Sequence, residues 1–460
     1  MGSSRNSNSS EGLPGRVAAG LVPEVFPGAH LAVGLSGGID SVSLLFALIE
    51  IAPALRFSLR AVHVNHGISP DAARWAEFCA AMCRSVHVPI QLETVDVTAH
   101  RSLGLEGAAR RARHEAFARV DADFVVLAQH RDDQAETLLL RLLRGAGLRG
   151  LSAMSRVKKF PGVRPRLLRP LLEMSRAEID SYARTRGLSW VEDESNTDVG
   201  RRRNFLRHEV FPLVERHFPA ARAAVARAAA HLGEARGLLD EMARSDFERC
   251  GDGGGAIEIP SLLRLGTARA KNLLHFWCEV RGAPPPASAH IEELLRQLRE
   301  SGVNSRGGLE ISRWRFLRHR ARLYLQPIQV STTSNFRENW NGENALPLFA
   351  LGGVLKFKPE EGRGLSLEKL RQAPVSVRLR QGGERLRPDP RRPRRTLKNL
   401  FQERRVLPWL RDRWPLVFCG EELASVPGIG DACEFRATSG ERGLMVSWEP
   451  FEQDPARAPY

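Results

Sequence analysis

A short glycine turn, Ser36-Gly37-Gly38-Ile39-Asp40-Ser41, holds the residues best suited to chemistry. An apolar run over 31–35 precedes it and an apolar stretch over 42–49 follows it, which predicts a strand, a tight turn and a helix. Adjacent glycines let the backbone approach a ligand closely, and the first amides of a helix favour an anion. No Lys-Ser or Lys-Thr follows, which excludes the loop that grips β- and γ-phosphates in P-loop enzymes. The turn therefore predicts a different kind of phosphate site, the alternative being a glycine turn without a ligand.

Two further polar clusters follow predicted strands. His63 and His66 lie at the end of the predicted strand 59–64, and His130, Asp132 and Asp133 follow the predicted strand 124–128. Ligands of open parallel sheets bind beyond the carboxyl ends of the strands. We therefore expect both clusters to share an edge with the glycine turn. The two histidines have a metal-like spacing, but the sequence offers no third or fourth ligand, so zinc is not predicted.

The first two hundred residues alternate strands and helices, which indicates a parallel sheet covered on both faces. Further predicted elements are helices over 70–86 and 106–120 and a strand over 90–97. Ser175 and Glu178 form a capping box that begins a helix ending near Gly187. Farther along, the segment 313–325 alternates basic and apolar residues and predicts one strand with a basic face.

Composition indicates a large protein with an anionic partner. The chain has 460 residues, 42% of them hydrophobic, and a formal net charge of +15, and this length suits about three domains. Its six cysteines form no C-x-x-C or zinc spacing, which fits reduced thiols. No apolar run reaches the roughly 18 residues of a membrane span, and the polar start lacks a signal core. We therefore expect a cytoplasmic protein with no membrane partner.

Changes in composition predict the domain organisation. We expect a disordered lead-in over 1–20, an α/β domain with a parallel sheet over 21–216, a small, mostly helical domain over 217–335, and a small, basic α+β C-terminal domain over 345–460. The last domain contains a dense basic tract with nearby aromatic residues, which favours RNA contact over a merely solvated face. Its cations are Arg391, Arg392, Arg394, Arg395 and Lys398.

The turn S-G-G-x-D-S resembles the PP-loop of ATP pyrophosphatases, and a series of motifs in order resembles the tRNA(Ile)-lysidine synthase family. The match covers the first domain almost throughout and the two later domains more loosely. One departure is Gln129-His130, where many members have two histidines. The motifs are HVNHG at 63–67, AARRAR at 108–113, QHRDDQAET at 129–137, RLLRGAGLRGL at 141–151, RPLL at 169–172, D-x-S-N at 193–196, RNFLRHE at 203–209 and TLKNLFQ at 396–402.

This resemblance implies a PP-loop ATPase domain over 21–216 and tRNA binding by the two later domains. It also implies an enzyme that uses ATP with Mg²⁺ to adenylate the wobble cytidine of the CAU-anticodon tRNA(Ile). L-lysine then attacks C2, AMP leaves, and lysidine shifts reading from AUG to AUA. The chemistry is consistent, because a lysine amine with a pKa near 10.4 needs a proton acceptor at neutral pH.

The resemblance and the residue chemistry together suggest roles for three groups of residues. The catalytic candidates are Asp40, Asp132, Asp133 and Glu136, with Asp40 and Asp132 as candidate Mg²⁺ ligands. The ATP-binding candidates are Ser36, Gly37, Gly38, Ile39, Asp40, Ser41, His63 and His130. The lysine- or tRNA-binding candidates are Glu106, Arg110, Arg113, Arg203, Asn204, Arg207 and the basic tract Arg391, Arg392, Arg394, Arg395 and Lys398. Ordinary helix-end acids and surface salt bridges are the structural alternatives for these groups.

Several other functions share the glycine turn. Another PP-loop adenylating enzyme, either a tRNA thiolase or an amidating ligase like NAD or GMP synthetase, is one alternative. The cysteine pattern argues against the thiolase, and the basic C-terminal domain has no explanation in an NAD synthetase. The alternative without catalysis is an RNA-binding protein with an inactive ATP site. The oligomeric state is left open, with a homodimer among the alternatives.

Overall fold

The computed structural model describes residues 12–98, 104–159, 164–300, 308–328 and 336–451. The chain divides into two compact units, Met1–Met242 and Ala243–Tyr460. No helix in the described ranges is long and apolar enough to cross a membrane.

A six-stranded sheet forms the centre of the first unit, in the order β3-β2-β1-β4-β6-β5. All neighbouring pairs are parallel except the edge pair β5–β6, which is antiparallel. This sheet confirms the predicted α/β class. The strands are β1 His30–Gly34, β2 Ser58–Asn65, β3 Ile90–Thr94, β4 Phe124–Val126, β5 Val157–Lys158 and β6 Arg166–Leu168.

Helices pack on the sheet and bury the apolar strand centres. Leu31, Ala32 and Val33 of β1 are fully buried, as expected for a central strand that is covered on both faces. The helices are α1 Leu13–Leu21, α2 Ile39–Leu55, α3 Ala72–Ser85, α4 Gly104–Ala118, α5 Arg131–Leu142, α6 Leu148–Leu151, α7 Arg176–Thr185, α8 Arg202–Phe205 and α9 Phe211–Glu215. A longer helix, α10, runs from Ala221 to Cys250 and crosses the division between the two units.

The disordered lead-in predicted for 1–20 is wrong for residues 13–20, which form most of α1. Val17 and Leu21 are fully buried, and Leu13 packs in the same core cluster. The polar, serine-rich residues before this short helix give no sign of it in the sequence. Its apolar face becomes evident only in the structure, where it packs against α2 and α7. Residues 1–11 lie outside the described ranges.

The second unit begins with helices and a four-stranded antiparallel sheet, in the order β7-β10-β9-β8. The single strand predicted over 313–325 is wrong: β9 and β10 form a hairpin that turns at Arg320 with φ +56°. That turn has no glycine, and the alternation of basic and apolar residues continues through it. The sequence therefore gives no signal that the strand ends there. The elements are β7 Ile257–Glu258, α11 Ile259–Arg264, α12 Thr267–Val280, α13 Ser288–Glu300, β8 Gly308–Ile311, β9 Trp314–His319 and β10 Arg322–Pro327.

The rest of the second unit consists of short antiparallel sheets with a few helical turns. A five-stranded sheet has the order β11-β15-β18-β19-β20, a four-stranded sheet has the order β12-β13-β21-β14, and β16 pairs with β17. The elements are β11 Arg337–Trp340, β12 Ala345–Leu348, β13 Gly353–Glu361, β14 Leu365–Ser366, α14 Leu367–Leu370, β15 Val375–Arg378, β16 Arg385–Leu386, β17 Arg395–Thr396, α15 Leu397–Glu403, α16 Pro408–Arg411, β18 Leu416–Cys419, β19 Glu422–Val426, β20 Gly430–Asp431 and β21 Arg442–Pro450.

Candidate active site and nucleic-acid interface

The glycine turn joins β1 to α2 at the carboxyl edge of the sheet. Gly37 has φ +88°, and a Cβ there would lie 2.7 Å from Cγ2 of Val191, so only glycine fits. The Ser41 hydroxyl accepts the Ser36 amide at 3.1 Å and donates to the Gly38 carbonyl at 2.9 Å. Ile39 is buried by its side chain, so only its backbone amide can face a ligand. The turn is thus a rigid backbone cradle at a helix N-terminus.

Asp40 lies in the first turn of α2 with its two carboxylate oxygens in different environments. Oδ2 accepts a hydrogen bond from Nη1 of Arg176 at 2.6 Å. Oδ1 is buried without a hydrogen-bond partner and lies 3.9 Å from Nε2 of His130. Burial raises the pKa of Asp40 above its ordinary value, and the charges of His130 and Arg176 only partly oppose this effect. A buried oxygen without a partner beside a phosphate cradle fits a cation ligand.

The first turn of α5 places Asp133 near the same histidine that lies beside Asp40, His130. Nε2 of the buried His130 lies 3.5 Å from Oδ2 of Asp133, whose carboxylate also accepts the His130 amide at 3.1 Å. Burial alone would raise the pKa of Asp133, but His130, Arg203, the amide bond and Arg207 together lower it. Asp133 is therefore an ionised carboxylate that is already surrounded by donors.

Glu136 is fully buried and is held by two arginines from the segment after the D-x-S-N motif. Its Oε2 accepts Nε of Arg203 at 2.9 Å, and its Oε1 accepts Nε of Arg207 at 2.7 Å. Arg203 also donates to the Thr137 hydroxyl at 2.8 Å, and Arg207 reaches Asp133 Oδ1 at 3.3 Å. These four predicted site residues form one ion-pair network.

Asp132 and Asn204 are two predicted site residues outside this network. Asp132 is half-buried, and its carboxylate has no hydrogen bond or ion pair to any described residue. The buried Asn204 amide donates to the Asp198 carbonyl at 2.9 Å, which ties down the loop before α8. On α5 it is therefore Asp133 that lies beside His130, while Asp132 has a free carboxylate.

The His63–Gly67 turn ends β2 next to the glycine turn. Nδ1 of the buried His63 lies 2.9 Å from the Leu35 carbonyl, so this histidine fixes the end of β1. Burial lowers the pKa of His63. Burial, with the charges of Arg113 and His63, lowers the pKa of His66 to about 4. Both rings are thus neutral at pH 7. The described residues contain no group of three or more His, Cys, Asp or Glu side chains that could hold a metal ion.

A basic cluster lies around the buried Arg169 and includes two arginines of α4. Arg110 is exposed and Arg113 is half-buried, and both charges lower the pKa of the buried Arg169 to about 10, after the larger effect of burial. Nε of Arg169 donates to Oε1 of Gln129 at 2.8 Å. The glutamine that departs from the family pattern thus orients a buried arginine. The Glu106 side chain lies outside the described residues.

Sequence reasoning missed Arg176, whose guanidinium pairs with Asp40. Arg176 stands one residue after Ser175 in a recognised capping box, but nothing in the sequence connects it to an acid 136 residues earlier. It also missed the pairing of Glu136 with Arg203 and Arg207, although all three residues were candidates. Their motifs were the only available signal.

The basic tract of the second unit lies on a small hairpin, β16–β17, and the following α15. Three of its arginines are paired with carboxylates: Arg395 with Glu403 at 2.5 Å, Arg394 with Glu434 at 3.0 Å and Arg392 with Asp389 at 3.6 Å. Arg391 and Lys398 are exposed, and their side chains have no hydrogen bond or ion pair to a described residue. A cavity of about 190 Å³ beside the tract is lined by Pro388, Asp389, Arg392, Arg395, Leu400, Glu403, Arg404 and Ile429.

Three family models match successive parts of the chain. A model described as a PP-loop domain matches residues 16–214. A TilS substrate binding domain matches 258–324, and a TilS substrate C-terminal domain matches 375–448. The matches follow the order expected from the sequence motifs.

Close relatives extend over nearly the whole chain. The tRNA(Ile)-lysidine synthase of Nitrosomonas europaea is 42% identical over 433 residues, 94% of this chain and 94% of that protein. The tRNA(Ile)-lysidine synthase of Aromatoleum aromaticum is 42% identical over 92% of this chain and 98% of that protein. Among solved structures, the U34-tRNA thiolase NcsA from Methanococcus maripaludis is 17% identical over 48% of this chain and 78% of that chain, with a TM-score of 0.40.

Proposed function

The chain belongs to the tRNA(Ile)-lysidine synthase family, and from this membership we propose how its residues perform the reaction. It is an enzyme, an ATP-dependent ligase acting on tRNA. We propose that it joins L-lysine to C2 of the wobble cytidine in the CAU-anticodon tRNA(Ile), in the cytoplasm, with Mg²⁺. The single observation that supports this most is the network of Asp40, His130, Asp133 and Glu136 beside the glycine turn.

The first step needs a site for the phosphates of ATP. ATP supplies the AMP that converts the C2 oxygen of cytidine into a leaving group. The amides of the glycine turn and the N-terminus of α2 suit the phosphates. Oδ1 of Asp40 has no hydrogen-bond partner among the described residues, which supports Asp40 as a residue that would hold Mg²⁺.

The second step needs a group that accepts the proton of the lysine amine. Glu136 already accepts hydrogen bonds from two arginines, and Asp133 accepts one from Arg207. We assign these two acids to positioning, since their oxygens are occupied. Asp132 is free and half-buried, so it is our candidate for the proton acceptor, a role worth about 10²- to 10⁴-fold in rate.

The substrate tRNA needs a basic surface apart from this site. We propose that residues 21–216 carry the chemistry and that the regions 217–335 and 345–460 bind tRNA, with Arg391 and Lys398 among the contacts. In the first unit, Arg113 lies near His66, and Arg110 and Arg113 both lie near Arg169, as their effects on the pKa values of those two residues indicate. They are our candidates for contact with lysine or the anticodon.

The cysteines argue against the tRNA thiolase alternative. Burial raises the pKa of Cys79 to about 12, that of Cys83 to about 11 and that of Cys278 to about 12. Thiols with such pKa values are poor nucleophiles and poor metal ligands at pH 7. The six cysteines are free, and five of them are buried.

The test is incorporation of labelled L-lysine into an unmodified transcript of the CAU-anticodon tRNA(Ile), with ATP and Mg²⁺. We expect label in this tRNA, none in the methionine tRNA, and none with the Asp40→Ala protein. If no label appears but AMP is released with another RNA or a small acid, the function belongs to another PP-loop enzyme. RNA binding without any ATP-dependent exchange of pyrophosphate would support the alternative without catalysis.

A further inference from the structure

Three helices begin around Asp40. Asp40 itself lies in the first turn of α2, and His130 caps α5 at 3.9 Å from its Oδ1. The amide of Arg131, the first residue of α5, donates to the Met174 carbonyl at 2.8 Å, just before α7 begins. Arg176, the first residue of α7, reaches Asp40 at 2.6 Å. The positive ends of three helices therefore meet at the phosphate cradle. The charged side chain that α2 contributes there is nevertheless an acid, Asp40.

Arg176 supplies the missing positive charge. Its side chain is 42% exposed, and only Nη1 bonds to Asp40. No other hydrogen bond or ion pair joins its guanidinium to a described residue, so its other N–H groups can meet a second acceptor. A guanidinium carries five donors in a rigid plane, which allows one edge to hold a carboxylate while another holds phosphate oxygens.

Arg131 is a second arginine at the start of one of these helices. Nε of Arg131 is buried and has no hydrogen-bond partner among the described residues. Arg131 and Arg176 each occupy the first position of a helix, α5 and α7, whose starts are joined by the Arg131–Met174 backbone bond. This backbone bond brings the start of α5 next to the start of α7, where Arg176 pairs with Asp40.

We propose that Arg176 is a positioning residue for the pyrophosphate part of ATP. In adenylation the C2 oxygen of cytidine forms a bond to the α-phosphorus, and the bond from that phosphorus to the α–β bridging oxygen breaks. The bridging oxygen keeps the electron pair and leaves with the β- and γ-phosphates, so negative charge grows on pyrophosphate. Arg176 balances that charge while its edge toward Asp40 keeps the carboxylate in place. This inference rests on the proposed function only for the identity of the acceptor.

The test compares how three ligands bind to the full chain with Mg²⁺ present. Isothermal titration with ATP, pyrophosphate and AMP is made on the wild type, Arg176→Gln and Arg176→Lys. Because Arg176→Gln removes one charged hydrogen-bonding group, we expect this variant to bind ATP and pyrophosphate about 10- to 100-fold more weakly than the wild type. Its affinity for AMP should stay within twofold of the wild type. Arg176→Lys keeps the charge and should recover part of the loss.

The matched control is Arg186→Gln, at the other end of α7, where an exposed arginine pairs with Glu50. It should leave all three affinities unchanged. Equal weakening of AMP and pyrophosphate by Arg176→Gln would mean that Arg176 only supports the loop, and unchanged or tighter ATP binding would mean that it only neutralises Asp40. Either result overturns the inference. Thermal unfolding shows whether a variant is folded, and Arg176→Lys replaces Arg176→Gln if the latter is not.

Failure of the proposed function gives a different pattern. The wild type would then bind ATP and pyrophosphate, with Arg176 selective for pyrophosphate, yet incorporate no lysine into tRNA(Ile). Conversely, normal lysine incorporation with no selective effect at Arg176 would reject this inference alone.

Discussion

Asp40 combines two demands that oppose each other. Its carboxylate must be ionised to hold a cation at a phosphate site, but burial makes the ionised form less stable, and so its pKa is raised. A group whose pKa is raised on folding lowers stability as pH rises through the folded pKa. The ion pair with Arg176 and the nearby His130 reduce this cost but do not remove it.

We therefore predict that Asp40→Asn abolishes adenylation while the protein becomes as stable as the wild type or more so at pH 7.5. Thermal unfolding and ATP–pyrophosphate exchange measure the two effects. Asp121→Asn, an exposed acid that pairs with Arg164, is the control and should keep full exchange. Strong destabilisation by Asp40→Asn would show that the Arg176 pair outweighs burial.

Glu136 represents the opposite case, since both of its carboxylate oxygens are paired. Breaking a buried ion pair by removing one charge leaves the partner uncompensated and costs about 3–5 kcal/mol. We predict that Glu136→Gln lowers the free energy of unfolding in urea by about that amount, because Arg203 and Arg207 both lose their acceptor charge. The exposed Glu209→Gln should change it by less than about 0.5 kcal/mol. A loss below about 1 kcal/mol at Glu136 would mean that the arginines relax to solvent.

At the scale of elements, the glycine turn is held in place by a segment far away in sequence. The Val191 amide donates to the Gly37 carbonyl at 3.0 Å, and the Val191 side chain fills the space where a Cβ would lie. We predict that Gly37→Ala lowers stability by about 1–3 kcal/mol and weakens ATP binding. Adding Val191→Ala removes the clash with Val191, but the close approach of Cys79 Sγ at 3.3 Å and the strain at φ +88° remain, so the double variant should recover only part of the stability. Full recovery would show that the clash alone matters. Urea unfolding and ATP titration give both quantities.

The turn after β2 makes the first unit sensitive to acid. His66 has its pKa lowered to about 4 by burial and by Arg113 and His63, whereas an unfolded histidine titrates near 6.5. Between these two pH values the unfolded chain binds a proton at His66 and the folded chain does not, so the free energy of unfolding decreases as pH falls from about 6.5 to 4. We predict that, between pH 7.5 and pH 5, the free energy of unfolding of His66→Gln falls by about 1–2 kcal/mol less than that of the wild type. The exposed His217→Gln should follow the wild type, and a His66→Gln curve parallel to the wild type would contradict the prediction.

At the scale of the whole molecule, the net charge of +15 is the main electrostatic feature. Much of the basic tract is neutralised locally, because Arg392, Arg394 and Arg395 pair with acids. Replacing all four arginines would therefore disturb the hairpin as well as tRNA binding. Arg391 and Lys398 offer a cleaner test, since both are exposed without described partners.

We predict that Arg391→Ala with Lys398→Ala weakens tRNA binding and reduces the slope of log K against log salt by about 1.4 to 1.8, for two lost phosphate contacts. ATP affinity should not change, because the glycine turn belongs to the first unit. Arg363→Ala, an exposed arginine paired with Glu360, is the control. An unchanged salt slope in the double variant would exclude this tract from the tRNA interface. Filter binding at several salt concentrations gives the slope.

Local patterns in the chain were sufficient for the chemistry-bearing turns and for the parallel sheet. The apolar runs, the glycines and the capping box of Ser175 and Glu178 are signals within a few residues, and the structure confirms the strand, turn and helix at the glycine turn. The expected shared edge is also confirmed, because β2, β1 and β4 are parallel neighbours. Periodicity and turn chemistry act over short distances, so they can be read without knowing the fold.

Which charged residues pair with each other depends on the tertiary fold. The pairs Asp40–Arg176 and Glu136–Arg207 join residues 136 and 71 positions apart, and an acid or arginine carries no mark of its partner in the sequence. The same holds for α1, whose apolar face is evident only when it packs in the core, and for the β9–β10 turn at Arg320, which lacks glycine. Long-range pairing depends on the shape of the whole chain, because side chains meet wherever the packing of helices on the sheet places them.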